Sequence, residues 1–146
     1  MDYEKILTLK GQQLIDFVLG IDPATLSDEF LEFVLQNKNE FNEEQLEIVC
    51  DLLGRSQISN KEVFLRLFIG HPNPSIKMAS IWGLQKKAKL EHETLRKALL
   101  MLERLRIPRL GVREVLSLFN AENLDQLSQN EMDHLTSLQE TFESEN

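Results

Sequence analysis

In the middle of the chain, apolar residues recur at three- and four-residue spacing, which places them on one face of a helix. One such face consists of Leu46, Val49, Cys50 and Leu53. Asn42 lies just before this face and is of a residue type that caps helix N-termini, while Gly54 follows it. The pattern therefore predicts a helix that starts at Asn42 and ends at Gly54.

The next segment is apolar on nearly every side, which is typical of a helix packed between neighbours. Its apolar residues are Val63, Phe64, Leu65, Leu67, Phe68 and Ile69. Ser59 and Glu62 have the spacing of a capping box, in which each side chain binds the backbone N–H of the other residue. We predict a capped helix that is buried and ends at Gly70.

Two longer helices follow. Asn73-Pro74 combines an N-cap residue with a proline at the first helical position, and predicts a helix that runs to about Lys87. A tight turn then leads into a partner helix from His92 to about Arg106, with leucines at helical spacing.

The C-terminal part is also helical. Pro108 ends the partner helix and starts another, residues 120–129 form a short broken piece, and Asn130 is predicted to cap a last helix. The signals before residue 42 are weaker: apolar clusters on both sides of Asp22-Pro23 indicate two further helices, and residues 2–9 are a candidate for a short helix of their own.

We predict an all-α fold, because no period-2 run is bounded by hairpin turns. The helices pair as antiparallel hairpins of about 30–35 residues, stacked as a short α-solenoid of about seven to nine helices. Residues 1–146 form one domain in this prediction. Its parts are less regular N-terminal helices at 1–41, a repeat-like core at 42–119, C-terminal capping helices at 120–142 and a frayed tail at 143–146.

The stretch 71–84 resembles the first helix of a HEAT repeat. That pattern has a proline-containing turn, an apolar and then a basic residue, a small residue four positions after the apolar one and Leu eight after. The matching residues are Ile76-Lys77, Ser80 and Leu84. Ser80 and Gly83 are small enough for a neighbouring helix to approach closely. Residues 108–119 are a partial second copy, with Leu116 at the small position.

The resemblance implies a HEAT-like solenoid. HEAT-like proteins mostly bind other macromolecules, and a few of them bind or repair DNA. The fold alone does not choose between these functions.

Charge is segregated along the chain, whose net charge is −8. Residues 1–70 carry 13 acidic and 6 basic side chains, residues 71–120 carry 4 and 10, and residues 121–146 carry 7 and none. Two acidic arms therefore flank a basic middle, which bears on partners and on electrostatic steering.

Residue constellations for catalysis are missing from the sequence. The single cysteine, Cys50, cannot form an internal disulfide and lies on an apolar helix face, so we expect a buried thiol. His71, His92 and His134 lie in different elements without ligand spacing. We therefore expect no metal site, no cofactor and no enzymatic activity.

The longest unbroken apolar stretch, residues 98–102, is far too short to cross a membrane. The N-terminus has no basic flank leading into an apolar run, so it does not resemble a secretory signal. We expect a cytoplasmic protein.

Three features are candidate binding sites. An acidic helix side consists of Glu43, Glu44, Glu47 and Asp51, two of which could also form a glycosidase pair. A basic patch consists of Arg104, Arg106, Arg109 and Arg113, which could contact phosphates or oppose a helix dipole. Trp82 is the only tryptophan; we expect core packing, with an exposed interface anchor as the alternative.

The leading hypothesis is a non-catalytic protein–protein interaction module whose acidic face meets a basic protein. A small, acidic, single-domain protein of this kind is similar to bacterial immunity proteins, which neutralise a cognate toxin that is often a basic nuclease. The alternatives are an adaptor or scaffold subunit and, less favoured, nucleic-acid binding through the cluster from Arg104 to Arg113. An enzyme whose site assembles from distant carboxylates ranks last.

Overall fold

Ten α-helices and no strands occur in the part of the chain that this computed structural model describes, residues 2–104 and 111–144. The bounds are α1 Lys5–Thr8, α2 Gly11–Leu19, α3 Asp28–Gln36, α4 Glu43–Arg55, α5 Glu62–Leu65, α6 Pro74–Gln85, α7 His92–Arg104, α8 Val112–Leu116, α9 Ala121–Leu124 and α10 Gln129–Ser144. Two short 3-10 turns lie at Pro23–Thr25 and Arg66–Phe68.

The all-α prediction is confirmed, whereas the predicted number of helices was too low. Two of the ten helices, α1 and α9, are single turns closed by hydrogen bonds from Leu9 N–H to Lys5 O and from Leu124 N–H to Asn120 O. They lie within residues 2–9 and 120–129, where the sequence indicates short helical pieces. Residues 143–144 of the predicted frayed tail belong to α10, and residues 145–146 lie outside the described part.

The start of α4 is the predicted one. The Asn42 side chain accepts a hydrogen bond from Gln45 N–H, and the Gln45 side chain accepts one from Asn42 N–H, both at 2.8 Å. Each side chain thus satisfies a backbone donor that the first helical turn leaves free.

The predicted end of α4 at Gly54 was wrong, because the helix continues to Arg55. Lys61 binds this end of the helix: its ammonium donates to Gly54 O in the last turn at 2.9 Å and to Ser56 O just after the helix at 3.0 Å. Burial lowers the pKa of Lys61, and the positive charges of Lys86 and Lys87 add to that shift.

Gly54 serves instead as a contact point between α4 and α6. A methyl group at Gly83 would lie 2.7 Å from the Cα atom of Gly54, so neither helix has room for a side chain there. Nearby, the Ser80 hydroxyl lies 3.4 Å from the Cys50 sulfur, and both residues are fully buried. Small residues on α6 therefore permit the close approach, as the sequence predicts.

Glu62 does not form the predicted capping box with Ser59, since α5 begins without a side-chain cap. The Glu62 side chain is fully buried. Its carboxylate accepts hydrogen bonds from Lys87 Nζ at 2.8 Å, Glu91 N–H at 2.9 Å and Thr94 Oγ1 at 2.7 Å. These bonds connect α5 to α7 and to the segment that precedes α7.

The C-terminal helices are also held by buried or reciprocal polar contacts. Asn123 is fully buried and accepts from Leu90 N–H at 2.8 Å. The cap of α10 predicted at Asn130 was wrong: Ser128 and Glu131 bind each other's backbone N–H groups. Asn130 thus lies inside the helix, two residues too late to cap it.

Glu131 also lies 2.8 Å from His92 Nε2, so α10 contacts the start of α7. The Ser128 backbone N–H, followed by the His92 side chain, lowers the pKa of Glu131.

The N-terminal segment contacts α4, where the Gln45 side chain donates a hydrogen bond to Leu7 O at 3.2 Å. Tyr3 and Phe30 are in edge-to-face contact with ring centroids 5.1 Å apart, and Phe33 lies 6.1 Å from Phe41. The buried apolar side chains form one cluster that extends from Ile6 in α1 to Phe142 in α10.

Glu62→Gln tests the buried carboxylate. The amide nitrogen of Gln would face the Lys87 ammonium or the Glu91 N–H, both of them donors, and Lys87 would lose its ion pair, so we expect the unfolding free energy to fall by about 2–3 kcal/mol. Ser59→Ala is the matched control and should change it by less than about 0.5 kcal/mol. Urea unfolding of both variants measures the two changes in unfolding free energy. Equal decreases for Glu62→Gln and Ser59→Ala would favour the capping box instead.

Gly83→Ala tests the contact between α4 and α6. Alanine in an exposed helix gains up to about 1 kcal/mol over glycine, but here the overlap with Gly54 should reverse the sign and give a net loss of at least about 1 kcal/mol. Gly20→Ala is the control, because its methyl group would meet only Phe17 O at 3.4 Å. The thermal unfolding temperatures of both variants test this prediction. A higher unfolding temperature for Gly83→Ala than for the wild type would contradict the close contact.

Candidate functional site

A groove of about 310 Å³ lies on the surface between α4 and α6. Its lining residues are Glu47, Asp51, Pro74, Ser75, Met78, Ala79 and Trp82. On the α4 side the groove is lined by two carboxylates, Glu47 and Asp51, which are one helical turn apart and therefore share a face. On the α6 side it is lined by the apolar side chains of Met78 and Trp82, which have the same spacing. We call this surface the acidic groove.

Trp82 is the most exposed large side chain of the acidic groove, with 55% of its surface accessible. The expected core packing was wrong. Trp82 follows Ser80 by two residues, which is about 200° around a helix, so it lies away from the face that packs against α4. Its role as an interface anchor remains a prediction.

The four acidic residues predicted as one binding face are all exposed, but only two of them line the groove. Glu43 accepts a hydrogen bond from the Asn73 side chain at 3.0 Å, at the start of α6. Glu44 is not part of the groove lining.

The two carboxylates that line the groove differ in their partners. Asp51 pairs with Arg55 at 2.7 Å, an exposed contact within one helix that holds the carboxylate weakly. Glu47 forms no ion pair with any residue that the structure describes. The groove therefore retains a negative charge that a partner could neutralise.

Cys50 lies beneath the groove and is fully buried, as expected. Burial raises the pKa of its thiol to about 12, although the hydrogen bond with Ser80 acts in the opposite direction. The thiol therefore stays protonated at neutral pH, and a protonated thiol is a poor nucleophile.

The predicted basic patch is only partly described. Arg106 and Arg109 lie outside the described residues, while Arg113 is exposed on α8. Arg104 lines a second groove of about 440 Å³, between residues 66–72 and α7.

The lining of this second groove includes basic residues that the sequence analysis did not single out, Arg66 and Lys97. Lys97 and Arg104 are seven residues apart on α7, with Leu100 between them, so all three share a helix face. That spacing was visible in the sequence. The contribution of Arg66 was not, because it depends on how the segment before α6 packs against α7.

The three histidines lie in separate environments. His71 Nδ1 accepts a hydrogen bond from Asn73 N–H at 3.0 Å in the turn before α6, His92 contacts Glu131, and His134 is exposed on α10. Within the described ranges, no group of three or more His, Cys, Asp or Glu side chains could hold a metal ion. None of the helices in those ranges is both long and apolar enough to cross a membrane.

Comparisons with protein-family models, with characterised proteins and with solved structures find no match to this chain. The resemblance to HEAT repeats thus rests on residues 71–84 and 108–119 alone. Function has to be argued from the geometry of the surface.

Proposed function

We propose that this chain is a non-catalytic protein-binding domain and that the acidic groove receives a partner with a basic surface. The observation that carries the proposal is the exposed indole of Trp82 beside the carboxylate of Glu47, which has no ion-pair partner in the described part of the chain. Large aromatic side chains at the centre of an interface often contribute most of its binding energy.

The chemistry of the groove favours a protein partner. Met78 and Trp82 offer apolar surface that is covered only when a partner binds, and Met adapts its shape to different ligands. A Lys or Arg of the partner could lie over the indole ring and reach Glu47, combining a cation–π contact with an ion pair. Both contacts are strengthened when water is excluded around them.

The charge of the chain supports a basic partner. With a net charge of −8, the protein attracts basic surfaces at long range, which increases the association rate. We propose a basic, nuclease-like toxin as the partner, so that the protein acts as a cytoplasmic bacterial immunity protein. An adaptor subunit of a larger assembly is the alternative.

The HEAT-like solenoid of stacked hairpins is also part of this proposal. It is supported by the extensive packing between α4 and α6, which would be the first helices of successive hairpins. In such a stack, equivalent helices form a continuous face that is suited to a macromolecular partner.

Affinity capture from the host cell tests the proposal, with the whole protein as bait. We expect the bait to retain a basic protein and Trp82→Ala to weaken that complex by about 30-fold or more, since hot-spot residues contribute 2 kcal/mol or more. Glu47→Lys should slow association and reduce its dependence on salt.

Two control variants isolate the groove. Leu19→Ala removes a more exposed apolar side chain on α2, and Glu29→Lys reverses an exposed charge on α3. Both controls should bind as the wild type does. Equal binding by all variants would contradict the role of the groove, recovery of a stable multi-subunit assembly would favour an adaptor, and retention that nuclease treatment abolishes would favour nucleic acid.

A further inference from the structure

The second groove has an apolar floor and basic edges. Its floor includes Leu67 and Leu100, each 41% exposed, which come from different elements and lie on the same surface. Gly70 forms part of the floor, and a methyl group there would overlap the side chain of Met101, so the segment packs closely on α7.

The charges around this groove are positive in balance. Arg66, Lys97 and Arg104 line it. Arg66 pairs with Glu91 at 3.3 Å, and that carboxylate is half exposed. Neither Lys97 nor Arg104 forms an ion pair with a residue in the described ranges, although Glu93 lies one turn before Lys97.

The spacing of the basic side chains along α7 indicates which kind of partner segment the groove can bind. Lys97 and Arg104 are two turns apart, or about 10 Å along the axis, with Leu100 between them. A partner helix would match this edge if it carried carboxylates two turns apart and leucines on the adjoining face. The leucines would cover Leu67 and Leu100, and the carboxylates would reach the Lys97 and Arg104 side chains.

We propose that this second groove binds an acidic, leucine-bearing helical segment of a partner protein. The site is separate from the acidic groove: its residues come from the segment 66–72 and from α7, and the two grooves share no lining residue. The chain thus carries two docking surfaces of opposite charge. The second does not depend on the function proposed for the first.

The groove suits a peptide better than a nucleic acid. Its floor is aliphatic, and its lining holds no Phe, Tyr or Trp on which bases could stack. The one ring among the lining residues is the His71 imidazole, whose Nδ1 already accepts a hydrogen bond from Asn73 N–H. The high negative charge of the whole chain also opposes binding to phosphate backbones. An acidic protein segment tolerates that charge better because it carries fewer negative groups per unit length.

Two-dimensional amide NMR of the full-length protein tests the proposal with a synthetic peptide as probe. The probe is an amphipathic helix with leucines at i, i+3, i+4 and i+7 and glutamates at the flanking positions. We expect shifts concentrated at Leu67, Lys97 and Leu100, and none at Trp82. The same peptide with lysine in place of every glutamate should give no shifts in this groove.

Variants sharpen the result. Leu100→Ala should weaken the probe by about 5-fold, as expected for the loss of a half-exposed leucine contact. Lys97→Glu should weaken it by a similar factor and permit binding of the lysine peptide, a reversal that a merely structural defect would not produce. Lys38→Glu, an exposed charge reversal after α3, is the matched control and should bind the probe normally.

Several results would overturn the proposal. These are no shift in the groove at saturating probe, equal shifts with the lysine peptide, larger groove shifts with duplex RNA, or shifts that appear on raising protein concentration alone. The last would mean that a second copy of the chain occupies the groove. Leu100→Ala and Lys97→Glu should unfold at the same temperature as the wild type, so that weaker probe binding by these variants reflects the groove and not a loss of folding.

Discussion

The close approach of α4 and α6 at Gly54 and Gly83 is the contact on which the rest of the structure depends. A single methyl group would not fit between the two backbones there. Because the helices meet so closely, Cys50 and Ser80 are fully buried between them. Residues on the outer side of the same helices, among them Trp82, become the walls of a groove. The packing that closes the core therefore also creates the candidate binding surface.

Buried polar groups fix the helices that follow. Burial of the Glu62 carboxylate carries a desolvation cost of several kcal/mol, which is offset only because three donors from other elements converge on it. The carboxylate is satisfied only when α5 and α7 are arranged so that all three donors reach it, so other arrangements of these helices are disfavoured. The second groove lies between α7 and the segment that follows α5, so these bonds also bear on how its two sides are placed.

The sequence predicts some of the features that depend on neighbouring residues, although it places the cap of α10 two residues too late. The caps at Asn42 and Asn73 were found because side chain and backbone partner lie within three residues of each other. Gly54 and Glu62 were misjudged, since their partners lie 25 or more residues away in the chain. A glycine at a helix crossing and a glycine at a helix end look the same in a single sequence.

The candidate surfaces were predicted only in part. Glu47 and Asp51 belong to the acidic face that the sequence indicates, but the exposure of Trp82 follows from which side of α6 packs against α4. For the basic surface, only Arg104 of the predicted patch lines a described groove, and Arg66 joins it through tertiary packing. Local patterns identify helix faces, whereas the pairing of faces decides which residues meet.

The central claim is that α4 and α6 present an exposed indole in a negatively charged groove, and the single tryptophan reports on it directly. Quenching of its fluorescence by caesium and by iodide separates exposure from charge when it is measured at matched ionic strength and each ion's quenching is expressed relative to its quenching of free N-acetyltryptophanamide. We expect a red-shifted emission that caesium quenches more strongly than iodide, because the carboxylates attract the cation. Glu47→Lys should reduce that difference. Blue-shifted emission that resists both ions, or equal quenching by the two, would contradict the claim.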